Sequence, residues 1–337
     1  MSPLPTLGGT NGGGSSSHIN DRGEVAGFAE EDTVDPDCPG TVAVNGTGPQ
    51  LLYFEPVIWG PSPDEIRKLP PLTGDNVGMA LFINDNGQAV GTSGTCANTT
   101  LPGPMTGPHA VLWERDGSVH DLGNLGGTSN SAVLALGNVA VSVNDRGQVS
   151  GLSALPEITG NGCPGNPPNP VCFPFHPFLW TKETGMRDLG LLPGDFDGAG
   201  LGMNNLGEVV GPSFSSPGPT SGNPRAFLYR DGKMHDLNAL VPPDSPLYLL
   251  IAYGINDAGQ IAGFGVNSNG DIHAYLATPC NRDQVDKDLL TAPPEGAAVE
   301  GAVTTERPRP VLSENARRQL QRMLRFLPAG PQPTQPQ

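Results

Sequence analysis

An all-β chain arranged as a five-bladed β-propeller is the fold the sequence predicts, on three observations. One short segment recurs five times, the composition suits short strands joined by turns, and the two ends of the repeat region complement each other. Gly (47) and Pro (37) are abundant while aromatics make up 6% of the 337 residues, a mix that favours many turns over a few large elements.

The recurring segment reads INDRGEVAG at 19–27, INDNGQAVG at 83–91, VNDRGQVSG at 143–151, MNNLGEVVG at 203–211 and INDAGQIAG at 255–263. Successive asparagines lie 64, 60, 60 and 52 residues apart, so the length variation belongs to loops and not to the motif. Each copy predicts a hairpin: an apolar strand, a turn on Asn-Asp-x-Gly, and a second strand. The turn residues are Asn20 and Asp21, Asn84 and Asp85, Asn144 and Asp145, Asn204 and Asn205, and Asn256 and Asp257. Asn and Asp suit these places because their side chains bond turn amides, and the following glycine suits a left-handed position.

A second motif follows: HAVLW at 109–113, HPFLW at 176–180, RAFLY at 225–229, HAYLA at 273–277 and a divergent EPVIW at 55–59. A third, HDLGNLGG, RDLGLLPG, HDLNAL or RKLPPLTG, comes after a further turn. Four strands per unit result. The last unit is read as lacking the third motif, whereas the chain begins on PLPTLGG, so residues 4–7 are expected to pair beside 273–276 as an N-terminal outer strand that closes the ring. In this order the motifs over residues 3–280 resemble the bacterial extracellular HAF-repeat proteins, named for a His-Ala-Phe triplet. The resemblance implies a repeat-built, exported protein and attaches no common activity or catalytic residue. Glu55-Pro56 and Arg225 depart from its His-Ala and His.

With the Asn-Asp strand innermost, the insertions 29–54, 92–108, 152–175 and 212–224 fall at one end of the units and the Asn-Asp turns at the other. Irregular loops gathered at one end of a repeat array form the expected binding face. Four cysteines lie in them. Cys163 and Cys172 bracket a short Pro/Asn-rich stretch and are the preferred local pair, which leaves Cys38 and Cys96 as the second; the other pairings stay open, and Cys280 is unassigned.

Several function classes recede on composition. Residues 1–280 carry 10 Lys+Arg against 27 Asp+Glu, and such a body repels nucleic acid. No apolar run is long enough to span a membrane, and no cofactor motif such as GxxxxGK[ST], and neither HExxH nor GxSxG, occurs. One Asp per turn, with Asn205 in the fourth, argues a structural role over a calcium ring, and His109, His176 and His273 recur too far apart to share a metal. No metal, cofactor or catalytic residue is therefore assigned. The expected function is a non-catalytic extracellular binding or scaffold module, a monomer whose ligand is a glycan or an extracellular protein. The rival is a carbohydrate-active enzyme with acidic residues such as Asp195, Asp197 and Glu157 in a propeller channel. Loop cysteines without metal spacing point to an oxidising compartment, hence to a secreted or cell-surface protein whose export signal is outside the chain as given.

Beyond the repeats, 281–311 reads as a disordered linker, 312–327 as an amphipathic helix with Ser313 as cap, and 328–337 as a disordered tail. The helix carries Ala316, Leu320, Met323, Leu324 and Leu327 on one face and Arg317, Arg318, Arg322 and Arg325 mostly off it. The apolar face is expected to be buried either on the body or on a partner, with an anionic surface as an alternative, and the arginines are expected to dock only loosely on the acidic body.

Overall fold

The computed structural model describes residues 3–38, 51–96, 109–127, 138–156, 158–159, 171–172, 174–216, 224–279, 307–310 and 312–323. β-strands dominate, in several antiparallel sheets. The first holds β1 (Gly8–Ile19), β2 (Val25–Val34), β3 (Leu52–Trp59) and β4 (Ile66–Lys68), and the second β5 (Val77–Ile83), β6 (Ala89–Gly94), β7 (His109–Trp113) and β8 (Val119–Asp121), each in chain order. The third joins β9 (Val139–Val143) and β10 (Val149–Ala154) to β13 (Phe175–Thr181) and β14 (Gly185–Asp188). A small ribbon of β11 (Ile158–Thr159) and β12 (Val171–Cys172) interrupts it. The fourth pairs β15 (Asp197–Gly198) and β16 (Gly202–Met203) with β17 (Val209–Phe214), β18 (Pro224–Arg230) and β19 (Lys233–Asp236), and the fifth is β20 (Tyr248–Ile255), β21 (Ile261–Val266) and β22 (Ile272–Ala277). A single turn of helix, α1 (Leu237–Leu240), follows β19, and α2 (Glu314–Met323) lies near the end of the chain.

The Asn-Asp-x-Gly turns explain why one motif builds five hairpins. In each, the glycine N–H donates to the asparagine carbonyl, at 2.9–3.1 Å, and the glycines sit at φ of 73–83°. The asparagine amide then does more than close its own turn. Asn144 Oδ1 accepts from Arg146 N and Gln148 N, while its Nδ2 donates to Gln148 Oε1 and across to Asn204 O at 3.0 Å. Asn20 reaches Asn84 O, Asn84 reaches Asn144 O and Asn204 reaches Asn256 O in the same way, at 2.9–3.1 Å. Consecutive sheets are thus bolted together at their turn ends by a row of asparagine side chains, of which Asn20, Asn84, Asn144 and Asn204 are buried.

The glycine that ends each motif has a separate cause. A Cβ at Gly91, Gly151, Gly211 or Gly263 would overlap the carbonyl oxygen of Met79, Val139, Ala199 or Ile251 on the adjacent strand. Beside three of these contacts the strand register slips by one residue, so the close approach and the irregularity go together. Apolar clusters fill the space between successive sheets: Val90, Leu112 and Leu122 pack with Val143, Val149 and Phe178, and Val210 and Leu228 with Leu249, Ala252 and Ile261.

One expectation about the ends is corrected. Residues 4–7 do not pair beside 273–276: Leu7 bridges Glu31, Pro5 O accepts from Trp59 Nε1 at 2.8 Å, and β22 forms the edge of a three-stranded sheet. The N-terminal stretch therefore imitates the link between sheets, since Pro70 O accepts from Trp113 Nε1 at 2.7 Å in the same manner. The C-terminal helix docks on the sheets through its apolar face, as one of the two expected placements has it. Ser313 caps it, with Ala316 N donating to Ser313 Oγ at 3.1 Å, and Leu312, Ala316 and Leu320 are buried among Leu152, Phe175, Phe214, Tyr248 and Val266. Arg317 and Arg318 face solvent. The ion pair that anchors this segment comes earlier, from Arg309 to Asp195, while Arg307 donates to the carbonyls of Ser245 and Leu247. Two buried leucines contribute about 3–6 kcal/mol before ordering entropy, which outweighs the 1 kcal/mol or less of an exposed ion pair. Residues 281–306 and 324–337, including Leu324, Arg325 and Leu327, lie outside the described residues.

The asparagine row makes a quantitative demand. Asn144→Ala should destabilise by about 2–4 kcal/mol, because it strands buried donors and acceptors in two turns, whereas Asp21→Ala at the exposed turn surface should lose about 1 kcal/mol. Urea titrations of the two variants check the ordering.

Candidate functional site

Antiparallel order within each sheet puts the connection between its second and third strands at one end, opposite the Asn-Asp turn. Because neighbouring turns are bonded, the irregular connections share that opposite end and make it the candidate binding surface. On the first two sheets it is fastened by a disulfide between Cys38 and Cys96, with Cα atoms 5.0 Å apart and the two cysteines 58 positions apart in sequence. Asp35 lies beside the two sulfurs, which are bonded to each other and so offer no thiolate to a metal. Cys163 and Cys280 lie outside the described residues, and Cys172 ends β12.

Around the disulfide the surface is acidic and ordered by specific bonds. Glu30 Oε2 accepts from Asn11 N, Asn11 Nδ2 and Thr10 Oγ1 at 2.9–3.2 Å. Lys68 Nζ lies 2.7 Å from both Glu31 and Glu55. Burial raises Glu55 above the ordinary carboxylate range, a shift that Lys68 only partly opposes. On the last three sheets the same end is covered, since α2 packs there and Ser313 sits against Gly270 in the β21–β22 turn. Among the described residues, the part of the candidate surface that α2 does not cover is the part held by the disulfide.

The recurrent histidines have a local task. His109 Nδ1 is 3.2 Å from Asp121, and His176 Nδ1 is 2.9 Å from Asp188, each pair joining the start of the third strand to the end of the fourth. Arg225 replaces histidine in the fourth sheet and meets Asp236 at 3.1 Å as well as Asp195. Glu55 replaces it in the first, and there the fourth strand carries Lys68, so the charges are exchanged. Both departures from the His-Ala pattern thus keep one contact. The signal was in the sequence as covariation of position 55 with 68 and of 109 with 121, but it needed the strand register to be seen.

Position two of the turn motif behaves similarly. Asp85, Asp145 and Asp257 each accept, through Oδ1, from the backbone N–H of the preceding unit's residue, at 2.7–3.3 Å. Asn205 stands between two of them and donates to Oδ2 of both Asp145 and Asp257. An aspartate there would face two carboxylates with nothing to donate, which is why the fourth copy departs from the pattern.

The acidic residues that a hydrolase would need are otherwise engaged. Asp195, fully buried, pairs with Arg225 and Arg309; Asp197 accepts from Phe175 N at 3.0 Å; Glu157 lies outside the described residues. Glu208 is held by Arg230 and Asn204, both at 2.5 Å, and Glu24 by Asn20 and Arg22. A row of buried serines was missed by sequence reasoning: Ser93, Ser153 and Ser213 accept from the N–H groups of Leu72, Leu125 and Leu192, fixing the links between sheets.

Two measurements follow from this geometry. Asp121 raises His109 above the ordinary imidazole value, and His109 lowers Asp121 below the ordinary carboxylate value. The histidine contribution is complete below about pH 6.5 and is lost as pH rises through its raised pKa; the aspartate contribution is complete above about pH 4 and is lost as pH falls through its lowered pKa. His109→Ala should therefore lower stability by about 0.5 kcal/mol at pH 5.5 and by almost nothing at pH 9, read from chemical denaturation at each pH. Replacing Cys38 and Cys96 together by serine should reduce stability by about 2–4 kcal/mol, measured in the same way. No protein-family model matches the chain, and no curated protein matches it in sequence, so the reading of this surface rests on its geometry.

Proposed function

We propose that the chain is a non-catalytic extracellular binding module, a five-bladed propeller whose ligand surface is the disulfide-held loop end of its first two sheets. One observation carries the reading. The long insertions gather at one end of the array, and on the first two sheets, where among the described residues α2 does not pack, a disulfide holds that end in place. Rigid loops on a regular scaffold lower the ordering cost of binding. The disulfide and the resemblance to HAF-repeat proteins both favour an oxidising, extracellular setting.

Closure into a ring is supported by the two end sheets. Ile19 is 67% exposed on the first, and Leu276 is 66% exposed on the last. Their counterparts Ile83, Val143, Leu112 and Leu228 are buried at 2–3%. Asn256, the last of the asparagine row, is exposed and bonds Gln260, which leaves it poised as the donor for Asn20 O. The two unpaired faces are what a ring would bring together.

A screen of the purified protein on a glycan array, with a hydrolysis assay on the glycans retained, tests the function. The expected result is binding without sugar release, lost when Cys38 and Cys96 are replaced by serine and retained in Asp21→Ala at the opposite end. Release of sugar, or binding that ignores the loop end, would overturn the reading.

A further inference from the structure

The disulfide between the first two sheets has a neighbour that its structural task does not use. After β2 the chain turns on Asp35-Pro36-Asp37-Cys38, where Cys38 N donates to Asp35 O at 3.2 Å and Asp37 N to Asp35 Oδ1 at 2.9 Å. Proline in the second place suits this turn, which folds Cys38 back beside the Asp35 carboxyl. A carboxyl oxygen of Asp35 and the two sulfurs lie within 4.8 Å of one another. Oδ1 serves the turn. Oδ2 is buried and has no hydrogen-bond partner among the described residues, in a side chain whose residue is 2% exposed. A buried carboxyl oxygen left unpaired is costly, so its place beside the sulfurs needs a reason that the turn does not supply.

The two sulfurs differ in access. Cys96 is fully buried against Phe54 and Val77, whereas Cys38 is partly exposed. Disulfide exchange begins when a thiolate attacks one sulfur and expels the other. Attack from solvent therefore falls on Cys38, and the expelled sulfur is that of Cys96, in apolar surroundings where a bare thiolate is poorly solvated. A proton delivered as the bond breaks removes that difficulty. Burial raises the Asp35 carboxyl above the ordinary carboxylate range; the Asp37 N–H opposes the shift and the Asp37 charge adds to it. Tyr53 and Glu31 are the other titratable groups on this side, and Glu31 is itself bonded to Lys68.

We propose that the Cys38–Cys96 bond is a thiol–disulfide exchange site, opened by a small-molecule thiol at Cys38 Sγ, with Cys96 as the leaving sulfur and Asp35 as its proton donor. The incoming thiolate bonds to Cys38 Sγ as the bond between the cysteines breaks. The electron pair of that bond leaves on Cys96 Sγ, which takes the Asp35 proton. The incoming sulfur is oxidised, Cys96 is reduced, and Cys38 carries the mixed disulfide. Asp35 is then reprotonated from solvent. The partial exposure of Cys38 favours a small thiol, and the inference holds whether or not the loop end binds a ligand.

Treating the oxidised full chain with methyl thioglycolate tests this without any ligand. Samples quenched with acid at early times and alkylated are mapped by peptide mass spectrometry, which separates these two cysteines from Cys163, Cys172 and Cys280. The adduct should sit on Cys38 and the alkyl label on Cys96, a readout that needs no variant. The rate per thiolate should fall as pH rises through the raised pKa of Asp35, because the protonated carboxyl is the donor. Asp35→Asn keeps an oxygen for Asp37 N; at acid pH its rate per thiolate should be about a hundredfold lower than that of the unaltered protein, with no such fall as pH rises. An adduct chiefly on Cys96, reaction only in denaturant, or an unchanged pH profile in Asp35→Asn would each overturn the proposal.

Discussion

The structure depends above all on an asparagine side chain that bonds in two directions. Its carbonyl oxygen closes its own turn by accepting two backbone N–H groups, and its amide nitrogen crosses to the carbonyl of the next turn. Only a side chain with both a donor and an acceptor on one planar group can do this. Aspartate would have no hydrogen to give, serine would be too short, and glutamine would add a methylene. Since these amides are buried, a lost bond leaves unsatisfied groups in a place water does not reach, and the penalty for that exceeds the net value of the bond itself. Local turn formation and assembly of the array are thereby one interaction.

Charge pairs between third and fourth strands show how a repeat tolerates change. What is kept is the pairing of opposite charges and not the residue type: histidine with aspartate twice, arginine with aspartate once, and glutamate with lysine once. Most of these pairs are partly exposed, so their energetic value is modest, and their effect is to fix which residues of the two strands lie opposite. Arg225 differs. With Asp195 and Asp236 it is buried, and Arg309 joins Asp195 from the C-terminal segment, so this one pair also anchors a distant part of the chain.

That anchoring bears on function. The helix covers the loop end of the last three sheets through apolar packing, which depends little on salt, and Arg317 and Arg318 are left facing outward. The proposed ligand surface is narrowed to the first two sheets, which a disulfide joins and where, among the described residues, no helix packs. One end of the array is thus divided between a covered half and a stapled half, whereas the Asn-Asp turns at the other end form a regular, hydrogen-bonded row.

The five-fold repeat, the hairpin at each Asn-Asp-x-Gly, the separation of loops from turns and a capped helix after Ser313 were legible in the sequence, because each is set by residues close in the chain or by a period, whereas Cys38 with Cys96 was only the preferred remainder among open pairings. The role of Asn144 as a bolt between sheets, the exchange of charge at Glu55 and Lys68, and the donation of Asn205 to two aspartates were not. Each joins residues tens of positions apart, and the register that brings them together is fixed only when the sheets pack. Tertiary structure also decided the two ends. Sequence placed residues 4–7 on β22 by likeness of motif, but the carbonyl of Pro5 finds the Trp59 indole and Leu7 finds Glu31. Sequence left open whether the helix would bury its apolar face on the body or on a partner, and the packing of Leu312, Ala316 and Leu320 decides for the body, with more energy than attraction across water supplies.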